Sequence, residues 1–247
     1  MPNKKVIPLI LAAGKSSRSI NKTYPMPKLL INITGKTILE RNIAFLEKIF
    51  KKIYINLYFH KKKYLNFINN LQLRSTLEKI VEKKIMGTAG VLHSFKKIDF
   101  KNILVVYGDN LVNINIKDFI NFHEKNKSLI SIAVYSTKYN LNSSYGSSSI
   151  RVSKNKVDSF YENNKNIKNK NKEHYINSGI LLINKKIIKF IPKNKYYDLS
   201  NDLIKDLLIK NIDIYCYKLK KDQYCLAFDT ITAIRNSKKI IKHYNIL

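Results

Sequence analysis

Little in this 247-residue chain suits redox, disulfide or zinc chemistry. Its two cysteines, Cys216 and Cys225, are too few for a disulfide framework or, alone, a four-ligand zinc site, and read as strand residues without chemistry. The five histidines (His60, His93, His123, His174 and His243) lack the four-residue spacing of a helix-borne metal pair and read as surface or packing residues. No stretch reaches the roughly 18 to 20 uncharged apolar residues of a membrane span. The opening MPNKKVIPLILAAG is apolar only briefly before Gly14, and reads as a buried first strand and not a signal peptide, so a cytoplasmic protein is expected. No Ser/His/Asp or Cys/His grouping suggests covalent catalysis, and no segment repeats.

Acidic residues are scarce too: 17 Asp+Glu face 46 Lys+Arg, for a formal charge of +29. Such an excess usually signals a polyanionic partner. Only five of the cations are arginines, however, and the lysines run from end to end beside abundant Ile and Asn, the pattern of an AT-rich coding sequence. Readers of nucleic acid concentrate Arg and aromatics in one element. The lysines therefore read as a solvated surface whose field gathers small phosphorylated molecules, with no specific nucleic acid and no membrane as partner. A content of 45% hydrophobic and 11% aromatic residues is enough to fill a substantial core.

The apolar pattern alternates between strand and helix periods. Strands are expected at Val6–Leu11, Ile53–Leu57, Glu78–Val81 and Ile103–Tyr107, with helices over Thr37–Phe50, Lys61–Leu71 and, after Gly87, Thr88–Phe95. This β–α alternation implies a mostly parallel sheet with helices on both faces. Further on come strands at Ile130–Tyr135, Ser149–Val152, Val157–Tyr161, Tyr175–Ile183 and Ile212–Tyr217, with a turn at Lys154-Asn155. Helices are expected at Leu199–Leu208 and Thr230–Ile241, and Asn163–Lys172 reads as a polar loop. No composition break marks a boundary, so one α/β domain with a small β-rich insertion is expected over 1–247: a nucleotide-binding part (1–135), then an acceptor-binding part with the closing helix (136–247).

The segment Leu11-Ala12-Ala13-Gly14-Lys15-Ser16-Ser17-Arg18, followed by Pro27-Lys28, carries the main chemical signal. A strand ending in a Gly turn presents backbone N–H groups at the sheet's carboxyl edge, and Arg18 and Lys28 add positive charge for a polyphosphate. Neither a Walker loop nor a dinucleotide fingerprint is present. Asp109 directly follows an apolar strand, where a carboxylate suits either a divalent cation or an Asx turn. Asp229 follows the strand-like Leu226-Ala227-Phe228 and equally suits a helix N-cap. Thr88 is a candidate N-cap in Gly87-Thr88-Ala89-Gly90, and Asn177-Ser178-Gly179 fits either sugar hydroxyls or an ordinary turn.

Taken in order, these pieces resemble the sugar-1-phosphate nucleotidyltransferases, the nucleotide-sugar pyrophosphorylases. Leu11–Arg18 with Pro27-Lys28 resembles the family's L-A-x-G-x-G-T-R and P-K; Met86–Gly90 resembles its L-G-T-A-G; Val106–Asn110 resembles its G-D strand end. Tyr145-Gly146, Glu162, Asn177–Ile180 and Asp229 fall where its sugar-side elements and last acidic residue occur. The resemblance implies a Rossmann-like (GT-A-like) domain in which Leu11, Ala12, Ala13, Gly14, Arg18, Lys28, Glu82, Gly87 and Thr88 hold the nucleotide. Glu82 would offer hydrogen bonds to the base edge. Gly146, Glu162 and Asn177 would face the acceptor, and Asp109 and Asp229 would share Mg²⁺.

The implied reaction joins an NTP to a sugar 1-phosphate, releasing pyrophosphate, with Arg18, Lys28 and Asp109 as the catalytic set. The run Ile55-Asn56-Leu57 with His60 and MGTAG is most similar to the mannose-1-phosphate guanylyltransferase-like branch, which favours GTP. The alternatives are a CTP-dependent cytidylyltransferase acting on phosphocholine or another small phosphorylated acceptor, a catalytically lapsed nucleotide binder, and a basic nucleic-acid-binding protein. Self-association is left open. The chain departs from the family pattern at Ser16-Ser17 (family Gly-Thr), where the Ser16 side chain would crowd or bond the triphosphate. It departs also at Asn163-Asn164 (family Lys-Pro) and at Ile231 (family Gly).

Overall fold

The structure, a computed structural model, describes residues 6–16, 26–142, 148–162, 174–244 and 246. Arg18, Gly146, the side chain of Glu162 and the 163–172 loop lie outside the described residues. The apolar run VIPLIL forms β1 (Val6–Leu11), parallel to β4 (Lys52–Leu57) on one side and to β6 (Asn102–Tyr107) on the other. Side chains alternate across the sheet, so Ile10 and Leu104 enter the core on one face while Leu9 and Val105 enter that on the other.

Between β1 and β4 lie the short hairpin strands β2 (Asn32–Ile33) and β3 (Lys36–Thr37) and helix α1 (Ile38–Glu47). The start of α1 is fixed by a capping box: the Thr37 hydroxyl accepts from Glu40 N–H, and the Glu40 carboxylate accepts from Thr37 N–H. Helix α2 (Lys61–Asn69), edge strand β5 (Thr76–Val81) and the four-residue helix α3 (Gly87–Gly90) complete the run to β6. A 3-10 turn, Val91–Phe95, continues α3 where one longer helix was expected.

After β6 come β7 (Asn110–Val112), α4 (Ile116–Lys125) and β8 (Ile130–Tyr135). Helix α4 has no counterpart among the sequence-based expectations, although Ile116, Phe119 and Ile120 share its buried face and the Asn115 side chain caps it through Asp118 N–H. The remaining elements are β9 (Leu141–Asn142), β10 (Ser148–Ser153), β11 (Lys156–Glu162), β12 (Ile176–Asn184), α5 (Ile204–Ile209), β13 (Ile214–Lys218), β14 (Tyr224–Ala227) and α6 (Ile231–His243). A π-type turn, Leu199–Leu203, leads into α5, so the helix expected from Leu199 is α-helical only from Ile204. Lys154 and Asn155 both have positive φ (47° and 64°), as a two-residue hairpin turn requires.

Among the described residues, nine strands form one sheet in the order β10-β11-β13-β8-β12-β6-β1-β4-β5. Seven run in one direction, and only β11 and β12 oppose them. The β-rich segment extends the end of this sheet, joined by the Lys156–Tyr215 pairing and a Cys216 N–H to Asn155 O bond of 2.7 Å. A second sheet, β7-β14-β9, packs with α6 around Ile33, Leu111, Leu226, Phe228 and Ile234. No helix among the described residues is long and apolar enough to cross a membrane.

One buried group ties this packing to pH. His123 of α4 is 2% exposed; Nδ1 lies 2.9 Å from Ser131 Oγ, and Nε2 has no hydrogen-bond partner. Burial first, then the charge of Lys101, lowers its pKa from 6.5 to about 4. The unfolded chain therefore takes up a proton that the folded chain refuses. The penalty is absent above pH 6.5 and grows to about 3 kcal/mol as pH falls from 6.5 to 4. In urea melts, His123→Gln is expected to flatten the loss of stability between pH 7 and pH 5; an unchanged slope would count against this assignment.

Candidate active site

The carboxyl ends of β1, β4 and β6 open into a cleft of about 250 Å³. Its walls are Leu11, Ala12, Ala13, Gly14, Ser16, Lys28, Leu29, Asn56, Ile85, Gly87, Thr88, Tyr107, Asp109 and Tyr196. This is where open α/β sheets place their ligands. Glycine at position 14 answers no packing demand, since a Cβ there would meet no atom within 4 Å. Gly108 differs: a Cβ would fall 2.5 Å from Leu29 Cδ2 and 2.6 Å from Leu11 O, so the end of β6 can lie against β1 only without a side chain. Gly108 N–H also donates to Leu11 O (3.1 Å), and its carbonyl accepts from Asn42 Nδ2 (2.8 Å), which fixes the backbone next to Asp109.

Asp109 pairs with Lys28 at 2.7 Å. The lysine is 8% exposed and sits at the start of a 3-10 turn, Lys28–Leu30, after Pro27. Such a sheltered cation is costly unless paired, so the ion pair holds both groups at the cleft wall. Asp229 arrives from the second half. Ala227 pairs with Asn110, and Phe228 N–H donates to Asp109 O at 2.9 Å, so Asp229 comes alongside the 108–109 segment. It is not the N-cap of α6, because the Thr230 hydroxyl accepts from Ala233 N–H (3.1 Å) and performs that role. Among the described residues, no three His, Cys, Asp or Glu side chains gather as a metal site. The two hard carboxylates are a donor set that suits Mg²⁺, which retains water and binds phosphate oxygens.

Glu82 lies behind the cleft, among partners from two segments. The residue is 7% exposed, and its carboxylate accepts from Asn56 Nδ2 at 2.6 Å and from Met86 N–H at 2.9 Å. Asn56 Oδ1 in turn accepts from Ala12 N–H at 2.9 Å. Glu82 thus braces two loops from behind, and Asn56, not Glu82, reaches the cleft wall. Asn56 was not expected as a site residue, although an amide within the otherwise apolar Ile53–Leu57 run was the available signal.

Thr88 lines the cleft but is not the N-cap that the sequence suggests. Its hydroxyl donates to Asp198 Oδ2 (2.8 Å) and accepts from Leu199 N–H (2.7 Å), while Met86, with no side-chain cap, precedes α3. The Tyr197 carbonyl takes the N–H groups of Ala89 and Gly90 at 2.9 and 3.0 Å. Gly87 has φ +79°, and a Cβ on it would lie 2.5 Å from Tyr197 O. Glycine is therefore required there by the chain's own backbone.

Ser16 has φ +58°, which costs a non-glycine residue about 1 kcal/mol or more. Its Oγ accepts from Lys28 N–H at 3.2 Å, so the hydroxyl bonds protein at the cleft wall. Asn177 Oδ1 accepts from Gly179 N–H (2.9 Å) within a bulge of β12, and Asn177 is not among the cleft-wall residues. Asn110 Nδ2 secures the bulge by donating to Ser178 O (2.9 Å). Tyr107 and Tyr196 line the cleft without having been expected. Burial pushes both thiols up, Cys216 to about 12, and the Asp109 charge adds to the rise at Cys225.

Residues 7–224 match the family model described as "Nucleotidyl transferase", and the chain belongs to that family. The chain is 26% identical over 225 residues to a UTP–glucose-1-phosphate uridylyltransferase of Synechocystis sp., covering 85% of this chain and 57% of that protein. It is 32% identical over 217 residues to the bifunctional protein GlmU of Buchnera aphidicola, covering 83% and 44% respectively. The chain thus spans about half the length of these relatives. Among solved structures, HddC from Yersinia pseudotuberculosis superposes with a TM-score of 0.75 at 21% identity, covering 96% of this chain and 99% of that one. HddC has also been solved in complex with GMP-PN.

The Asn56 relay has a measurable worth. Asn56→Ala would leave Ala12 N–H and one Glu82 oxygen buried without these partners, at an expected cost of about 2–4 kcal/mol. Guanidinium unfolding would reveal it; a loss below about 0.5 kcal/mol would show that the relay bears little of the site's stability.

Proposed function

We propose that this protein is a nucleotidyltransferase that joins an NTP, with GTP favoured, to a sugar 1-phosphate. The observation that carries the reading is the sheltered Lys28–Asp109 pair in the wall of a cleft built by Leu11–Gly14 and Gly87-Thr88. An acceptor phosphate oxygen attacks the α-phosphorus in line; the bond to the bridging oxygen breaks, and pyrophosphate departs. Such chemistry asks for positioning and charge neutralisation more than for a protein nucleophile. The open side of Gly14 lets a triphosphate approach the backbone. Lys28, with Arg18, would neutralise the phosphates and the leaving pyrophosphate. Asp109 and Asp229 would hold Mg²⁺, which when bound supplies further neutralisation of phosphate charge.

In this reading residues 1–135 form the nucleotide-binding part and 136–247 the acceptor-binding part of one domain, with Gly146, Glu162 and Asn177 toward the acceptor. Support for GTP comes from the guanylyltransferase-like run Ile55–Leu57 with His60, and from the GMP-PN complex of HddC. UTP is the second reading, favoured by the similarity to the Synechocystis uridylyltransferase. The product would be a nucleotide-sugar for glycan synthesis.

The test is pyrophosphate release with Mg²⁺, crossing four NTPs with a panel of sugar 1-phosphates and phosphocholine. One productive combination is expected, and Asp109→Ala should lower its kcat by about 100-fold or more. Undiminished turnover in that variant would remove the Lys28–Asp109 pair from the mechanism.

A further inference from the structure

Helix α1 carries an amide where its pattern calls for a hydrocarbon. Ile38, Asn42 and Leu46 follow one another on a single stripe of the helix, and all three are buried, Asn42 to 2% exposure. A buried amide is costly unless bonded, so its position demands a partner. Asn42 Nδ2 has one in the Gly108 carbonyl, 2.8 Å away on a residue that is itself buried. That carbonyl belongs to the peptide leading into Asp109. The Gly108-Asp109 segment is held at two further points: Gly108 N–H donates to Leu11 O (3.1 Å), and Asp109 O accepts from Phe228 N–H (2.9 Å). Of these three ties, the one from Asn42 is made by a side chain. The tie to Phe228 brings up Asp229, the next residue in the chain. Helix α1 meets this end as well, because Ile38 packs in the same apolar cluster as Phe228.

We infer that Asn42 is a positioning residue for the carboxylates of Asp109 and Asp229. Its amide ties the main chain of Gly108 to a helix whose own start is fixed twice. One fixture is the Thr37–Glu40 capping box, the other an Ile38 N–H to Ile31 O bond of 3.2 Å. The peptide before Asp109 cannot turn without leaving a buried carbonyl and a buried amide unpaired. Such a restraint matters at this position. Close packing of β6 on β1 requires glycine at 108, and glycine has the widest backbone freedom of any residue. Asn42 is not among the cleft-wall residues, so it acts through the Gly108-Asp109 main chain and not by contact with substrate. Chemistry that depends on positioning is sensitive to this, since a displacement of about 1 Å can cost about 100-fold in rate. The inference deepens the proposed function and rests on it for the effect on turnover; the tie from Asn42 to Gly108 is a property of the protein alone.

Three variants of the full chain test it. Asn42→Leu, of similar size, removes the donor, and Asn42→Ala is a second variant that keeps the test open if leucine does not fit. Leu46→Ala, one turn on and fully buried, is the control for a merely loosened helix. Each protein is assayed below its melting temperature for kcat, the KM of the NTP and the half-saturating Mg²⁺ concentration. Both Asn42 variants should lower kcat by about tenfold and raise the Mg²⁺ requirement by about three- to tenfold, with the NTP KM changed by less than about twofold. Leu46→Ala should lose stability yet keep kcat within about twofold of the unmodified protein. Hydrogen exchange of the ligand-free protein is the readout apart from turnover. There, Asn42→Leu should speed exchange at Gly108 and Phe228 about tenfold more than at Val105, in the middle of β6. A kcat within about twofold in both Asn42 variants, an equal loss in Leu46→Ala, or equal acceleration at Val105 would overturn the inference. Absence of turnover by the unmodified protein with every NTP would instead remove the proposed function, while exchange at Gly108 and Phe228 still decides whether Asn42 holds the segment.

Discussion

A carboxylate buried behind three strand ends is the constraint on which the site is built. A buried carboxylate needs hydrogen-bond partners, and Glu82 has two: the Asn56 amide and the Met86 N–H. Satisfying it draws the end of β4 and the loop before α3 together, and Asn56 passes the tie on to Ala12 at the end of β1. The spacing between the two walls of the cleft is thus set by hydrogen-bond geometry. Neither wall can drift without leaving a buried polar group unsatisfied.

Against a formal charge of +29, the few carboxylates are placed with economy. Glu82 braces loops, Asp109 restrains Lys28, and Glu40 completes the box at the start of α1. Others, such as Asp118 with Lys220 and Asp213 with Lys156, form exposed pairs that add little to stability. In the cleft wall, by contrast, Lys28 is sheltered and already matched by Asp109.

Much of the scaffold was legible because it is local. The mostly apolar runs Val6–Leu11 and Ile130–Tyr135 coincide with β1 and β8, and the Lys154-Asn155 turn joins two strands as its residue types suggest. Helix α4 escaped notice because its apolar positions are few and flanked by polar residues. Within the site, residue type was readable but direction was not. Nothing in the local pattern names the neighbours of a carboxylate before the Gly87 loop, and one of them is Asn56, 26 residues earlier. Thr88 was likewise claimed by Asp198, 110 residues away, a partner that local pattern cannot reveal.

That last contact bears on how the chain is made. The loop carrying Gly87 and Thr88 is held by the Tyr197 carbonyl and Asp198, and β6, at the centre of the sheet, is covered on one side only by β12. During synthesis the first half emerges with an open strand edge and an unanchored cleft wall, a state prone to aberrant pairing. The Gly87–Thr88 wall gains its anchor only once residues 197–198 have left the ribosome, so the cleft is completed by the second half of the chain.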